Sequence, residues 1–147
     1  MDDIDKKIID VLKDNARWST QKIAKKTGIP ITTVHYRIKK LEGEGIIKKY
    51  TVGLDYKKMG VPICAFVLIV VDYNDMKEKN LTQHQLAQKL LLKPQVEAAS
   101  MVAGRFDIIV KLRVANVDEL NQFVTVDMRN MQGVERTETM LVLNDLQ

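Results

Sequence analysis

One cysteine among 147 residues, Cys64, leaves no partner for an internal disulfide and excludes a cysteine-rich zinc site. It sits in an apolar run and reads as a small core residue. Aromatic residues make up only 5% of the chain, so the core must be mostly aliphatic. Two histidines are present, His35 and His84, and neither belongs to a nucleophile motif or a metal-ligand spacing. No glycine loop of the phosphate-cradling kind occurs. Asp72 and Asp75 are an acidic pair, but they read better as a strand end and a loop than as metal ligands. The longest apolar run, Val61 to Val71, is broken by Pro62 and falls well short of the ~18 residues of a membrane span. The acidic start (Asp2, Asp3, Asp5) is unlike a secretory signal. These absences argue against an enzyme, a metal, a cofactor or a membrane association, and point to a cytoplasmic protein.

What is present is charge, unevenly placed. The net charge is +4, with 29% charged residues. Residues 1–58 carry fourteen Lys/Arg against eight Asp/Glu, whereas residues 59–147 carry nine against eleven. Such asymmetry suggests a polyanionic partner for the first half. The basic helices lack the bulky apolar face of an interfacial helix, which favours DNA over a membrane surface.

The basic half has a recognisable grammar. Residues 2–14 form a helix capped by Asp2 or Asp3, with Ile4, Ile8, Val11 and Leu12 on its apolar stripe. Ser19 caps a second helix bearing Ile23 and Ala24, and Gly28 stops it. A third helix opens at Ile29-Pro30, with Val34, Ile38 and Leu41 on one stripe. Trp18 is expected to plug the core of these three helices. Two helices joined by a tight turn are the helix-turn-helix arrangement, whose second helix enters the DNA major groove. Opposite the stripe point Thr32, Tyr36, Lys39 and Lys40, with Thr33, His35 and Arg37 on the flanks. Thr32, Thr33 and Tyr36 are the candidate base readers, and Arg37, Lys39 and Lys40 the candidate phosphate contacts. Gly45–Val52 alternates like a strand and forms either a small wing or a connecting strand, and Lys48 and Lys49 could touch phosphate from there.

After a linker at 53–60 the rhythm changes. Val61–Tyr73 reads as a strand covered on both faces. A helix follows over Leu81–Leu92, with Leu81, Leu86, Leu90 and Leu91 as its apolar residues. Val96–Ala103 and Phe106–Val114 form a hairpin about Gly104-Arg105. Asn116 caps a helix with Leu120, Val124, Met128 and Met131 buried, Gly133 ends it, and Val134–Leu143 is the last strand. The order β-α-β-β-α-β is the ferredoxin-like pattern, with helices on one face of an antiparallel sheet. The bare face needs a cover, and a second copy of the chain is the natural one. Thr137, Thr139, Leu141 and Leu143 share a mixed face suited to a partner. The fold class is therefore α+β: an N-terminal helix-turn-helix (winged-helix-like) domain over 1–52, and a ferredoxin-like βαββαβ oligomerisation and effector domain over 61–147.

In this order and spacing the chain resembles the Lrp/AsnC, or feast/famine, transcriptional regulators over essentially its whole length. The landmarks are Asp5 with Ile8-Ile9 and Leu12, Asn15-Ala16-Arg17, Ile23 to Gly28, Arg37 to Glu42, Gly45-Ile46-Ile47, Val102 to Asp107, and Gly133-Val134. The resemblance implies double-stranded DNA as partner, homodimers assembled into octamers or other sets of dimers, and an amino-acid effector held between subunits. It implies effector contacts at Gly104, Phe106 and Asp107 of the turn, and at Thr137 and Thr139 of the last strand. The chain departs from the pattern in one place. Pro30-Ile31 stands where many members carry Ser-Pro, so the third helix lacks the usual side-chain cap. An architectural DNA binder with little sequence preference, and a metabolite-sensing assembly whose first domain binds protein, are the competing readings.

Overall fold

The computed structural model describes residues 1–144. Residues 145–147, the end of the expected second domain, lie outside the described part. The chain divides into two compact units, Met1–Leu54 and Asp55–Gln147.

The first unit holds α1 (Asp3–Asp14), α2 (Thr20–Thr27) and α3 (Ile31–Gly43). The first two starts follow from their caps. Asp2 and Asp5 close a capping box on α1, and the Ser19 hydroxyl accepts from the Lys22 N–H at 3.3 Å on α2. Gly28 adopts φ 72°, which ends α2 in a left-handed turn. Helix α3 begins at Pro30 with no side-chain cap hydrogen bond. Ile8, Val11, Leu12, Ile23 and Val34 form the core, with Ile4, Ala24, Ile29, Ile38 and Ile47 packed on it. Trp18 packs against this core as expected, but from its rim. It is only half-buried at the edge of this core, with the Lys22 and Lys26 ammoniums 4.3 and 4.7 Å from its ring centre. The aliphatic side chains fill the interior, and the indole is left to its rim, where cations cover it.

No strand forms over Gly45–Val52. The Ile46 and Ile47 N–H groups both donate to the Leu41 carbonyl, at 2.9 and 3.1 Å, and this wraps the segment onto the end of α3. Alternation marks a strand only where a neighbouring strand can pair with it, and this unit supplies none.

The second unit is a four-stranded antiparallel sheet in the order β2-β3-β1-β4, made of β1 (Ile63–Val71), β2 (Val96–Met101), β3 (Ile108–Val114) and β4 (Val134–Leu141). Helices α4 (Tyr73–Glu78), α5 (Gln83–Leu91) and α6 (Val117–Gln122) complete it. Ala65, Val67, Ile69 and Val71 of β1 join Ile108, Val110, Leu112 and Val114 of β3 in one core with Met76, Leu86, Leu90, Leu120 and Phe123. The other face carries Phe66, Ile109, Lys111 and Arg113, with the Tyr56 ring 3.7 Å from the Arg113 guanidinium carbon.

Three elements differ from expectation. Tyr73 opens α4 instead of ending β1, because Asp72 caps a new helix by accepting from Asn74 and Asp75 N–H. Asp75 thus sits on a helix, paired with Lys79 and accepting from the Gly133 N–H at 2.9 Å. Leu91 is exposed, and Ala87 takes its expected place in the core. Helix α6 passes into a π-helical segment, Phe123–Met128. In an unbroken α-helix Asp127, seven residues after Leu120, would fall on the buried stripe. Phe123, Val124 and Met128 of this segment lie in the core, and Asp127 is only partly buried.

Candidate nucleic-acid interface

The outward face of α3 is set by what its inward face buries. Val34 and Leu41 are fully buried and Ile38 packs against the core. That leaves Thr32, His35, Tyr36, Lys39 and Lys40 exposed, with Thr33 half-buried on the flank. Tyr36 is 66% exposed, a large aromatic with its ring in solvent. Two of the cations are tethered loosely along the helix: Lys39 to Glu42 at 3.5 Å and Lys40 to Glu44 at 3.7 Å. Exposed pairs of this kind contribute little and break readily for a phosphate.

Arg37 departs from the set. Its guanidinium turns back to α1, with Nη1 donating to Asp2 Oδ2 at 2.6 Å and to Asp5 Oδ1 at 3.1 Å. Its side chain is 22% exposed, and that of Asp5 only 4%. The Asp5 N–H and then the Arg37 guanidinium hold the Asp2 carboxyl below its ordinary range. Sequence alone placed Arg37 among the phosphate contacts, because helical spacing puts it on a flank and says nothing of carboxylates 32 and 35 residues away.

Behind α3 the chain is pinned by the Tyr50 hydroxyl, which donates to Glu42 Oε1 at 2.8 Å. Burial and this carboxylate push the Tyr50 hydroxyl up to about 12. Since the folded value lies above the ordinary 10.0, the contribution to stability is complete below pH 10.0 and is lost as pH rises through about 12. Tyr50→Phe should therefore lose the last-titrating phenolate in an alkaline absorbance titration. The remaining alkaline loss of helical signal should also become smaller. A groove of about 820 Å³ lies between α1 and residues 46–53, lined among others by Ile9, Leu12, Ile46, Tyr50 and Val52. None of the outward α3 residues lines it.

The effector candidates of the second unit fall into two groups on either side of β1. Asp107 closes the β1–β3 end: its N–H donates to the Ile69 carbonyl at 2.9 Å, and its Oδ2 accepts from the Val71 N–H at 3.0 Å. Its Oδ1 accepts from the Tyr73 hydroxyl at 2.8 Å, and its carbonyl from the Gln83 amide at 2.6 Å. Hydrogen bonding to Asp107 raises the Tyr73 hydroxyl above its ordinary value. Gly104 adopts φ 143°, a conformation that favours glycine, and Phe106 is half-buried beneath the Arg105 guanidinium at 5.3 Å. Thr137 and Thr139 lie across β1, opposite Ile69 and Val67. Paired residues point to the same side of a sheet, so both threonines lie on the helix-covered face, at an edge strand. The face turned away from the helices presents Arg136, Glu138 and Met140 instead. Leu143 lies beyond β4 and is 93% exposed. Among the described residues no group of three His, Cys, Asp or Glu side chains could hold a metal, and no helix is long and apolar enough to cross a membrane.

Residues 1–48 match the family model for winged helix-turn-helix DNA-binding domains, and residues 64–147 match that for the Lrp/AsnC ligand binding domain. An uncharacterised HTH-type transcriptional regulator of Pyrococcus furiosus is 43% identical over 141 residues, spanning 96% of this chain and 91% of the relative. The HTH-type transcriptional regulator FL11 of the same organism is 38% identical over 143 residues, covering 97% and 89%. Among solved structures, Escherichia coli AsnC superposes with a TM-score of 0.81 at 24% identity, covering 100% of this chain and 95% of that one. A Neisseria meningitidis transcriptional regulator in complex with L-Met superposes at 0.88 with 20% identity, covering 100% and 92%.

Proposed function

Because the chain belongs to the Lrp/AsnC family, whose members are DNA-binding transcriptional regulators and not enzymes, we propose that it reads a particular DNA sequence with α3. The division of α3 into a buried Val34–Leu41 stripe and an outward Thr32, Thr33, His35, Tyr36, Lys39 and Lys40 face carries this reading. Threonine and tyrosine hydroxyls near the helix start suit base edges, and the two lysines further along suit phosphates. Residues 1–52 bind DNA, 53–60 link, and 61–147 assemble the protein and receive the effector, all in the cytoplasm.

Two copies pair through the sheet faces that carry no helices, and dimers associate further, up to an octamer. Pairing places two α3 helices about one DNA turn apart on a pseudo-palindromic site. The effector is a free amino acid, held by the Gly104, Phe106 and Asp107 turn and by Thr137 and Thr139. The L-Met bound to the neisserial relative in fold supports that ligand class. It acts by favouring one arrangement of dimers over another.

Selection of bound duplexes from a random pool, with and without amino acids, tests the whole reading. A consensus with two half-sites is expected, preferred over bulk DNA by roughly 10³ or more. Recovery of no consensus would favour the architectural reading instead. Lys39→Ala should weaken selected and random duplexes alike and lower the salt slope by about one per chain.

A further inference from the structure

We propose that Asp2, Asp5 and Arg37 form a strut that fixes the roll of α3, making Arg37 a positioning residue for base reading and not a phosphate contact. The wiring is closed. Asp2 Oδ1 accepts from the Asp5 N–H at 3.0 Å, and Asp5 Oδ2 accepts from the Asp2 N–H at 2.9 Å. Each carboxylate then has one oxygen left, and both of those oxygens meet Nη1 of Arg37. The capping box of α1 is thereby joined to the middle of α3 by two charge-assisted hydrogen bonds.

The start and middle of α3 have no other such tie. Pro30 supplies no side-chain cap, the helix packs through one stripe, Val34, Ile38 and Leu41, and its other short side-chain hydrogen bond, Glu42 to Tyr50, lies near the far end. Apolar contact is non-directional and tolerates small rolls about the helix axis. Hydrogen bonds to charged groups are short and directional, and they do not tolerate such rolls. Arg37 lies on the flank beside the stripe, where a tie resists rotation most effectively. Asp5 is nearly buried, so releasing Arg37 to a phosphate would leave a desolvated carboxylate without its cation, a cost that opposes the exchange. Tyr36 is the residue beside Arg37, and Thr33 is one turn earlier. A roll permitted by a broken strut therefore moves both of these side chains.

The inference rests on α3 reading bases, and the test separates the two. Wild type, Asp2→Asn with Asp5→Asn, and Arg37→Gln are titrated against a random-sequence duplex and a pool-selected duplex at several salt concentrations, with helical content checked by circular dichroism. The double asparagine variant removes two negative charges from a basic unit. Charge alone would make it bind all DNA more tightly. The strut instead predicts equal or tighter binding to random duplex together with a preference for the selected duplex reduced about tenfold or more. Arg37→Gln should keep the wild-type salt slope on random duplex. An unchanged preference in the double variant overturns the proposal, as does a slope lowered by about one per chain in Arg37→Gln. Should Arg37→Gln not fold, the double variant decides alone. A wild type with no preferred duplex would sink the base-reading proposal, and the slope on random duplex would still decide whether Arg37 touches phosphate.

Discussion

Phe123→Ala is expected to destabilise the C-terminal unit by about 3–5 kcal/mol. Phe123 is 1% exposed and is the largest fully buried side chain in the core. Its removal deletes both the transferred ring and the packing around it, and the surrounding strands cannot collapse into the space. Its position adds a second reason. It opens the π-helical segment that carries Val124 and Met128 inward, so the cavity forms where the helix departs from regular geometry. Thermal unfolding followed by circular dichroism should show the loss as a midpoint lower by about ten degrees or more for a unit of this size. The N-terminal unit has its own core and should keep its affinity per chain for random duplex at low temperature. A midpoint within two or three degrees of wild type, on the order of 0.5 kcal/mol, would show that the segment does not bear on the core.

Thr33→Ala combined with Tyr36→Ala should cut the preference for a selected duplex by about 10³-fold, the low end for four contacts. A good base contact discriminates by about 1–3 kcal/mol, and a dimer makes each contact twice. Affinity for random duplex and the salt slope should hardly change, because neither side chain carries charge. Tyr36 is exposed and Thr33 half-buried, so the fold should survive both changes. Competition binding with selected and random duplexes reads the ratio directly. Equal loss on both would move the reading function to Thr32 and His35. The contrast with Lys39→Ala is the diagnostic: one variant loses discrimination at constant slope, and the other loses slope at constant discrimination.

Much of this was legible along the chain because the deciding interactions are local. Ser19 capping, the Gly28 turn and the 34–38–41 stripe each link residues no more than four positions from the next, which is the range over which helix periodicity and capping operate. The succession of strands and helices in the second half, α4 apart, follows from alternation and turn residues in the same way. The misreadings share an opposite cause. Gly45–Val52 has the alternation of a strand, but its backbone groups turn to Leu41 and find no partner strand in the unit. Trp18 does pack against the core, but at its rim, because the aliphatic interior was already filled. The π turn was invisible because Leu120, Val124 and Met128 already fit one ordinary helical stripe, so the spacing carries no mark of a wider turn.

The sequence by itself determined two units of opposite charge balance, a helix-turn-helix followed by a βαββαβ half, and the family to which both belong. Periodicity, caps and turn glycines act through neighbours in the chain, and so they can be read from it. Only the tertiary structure decided that Arg37 faces two carboxylates on α1, that Asp107 locks the end of the β1–β3 ladder, and that Thr137 and Thr139 lie on the helix-covered face. Those facts depend on which distant groups meet when apolar faces are buried, and no spacing along the chain specifies that meeting.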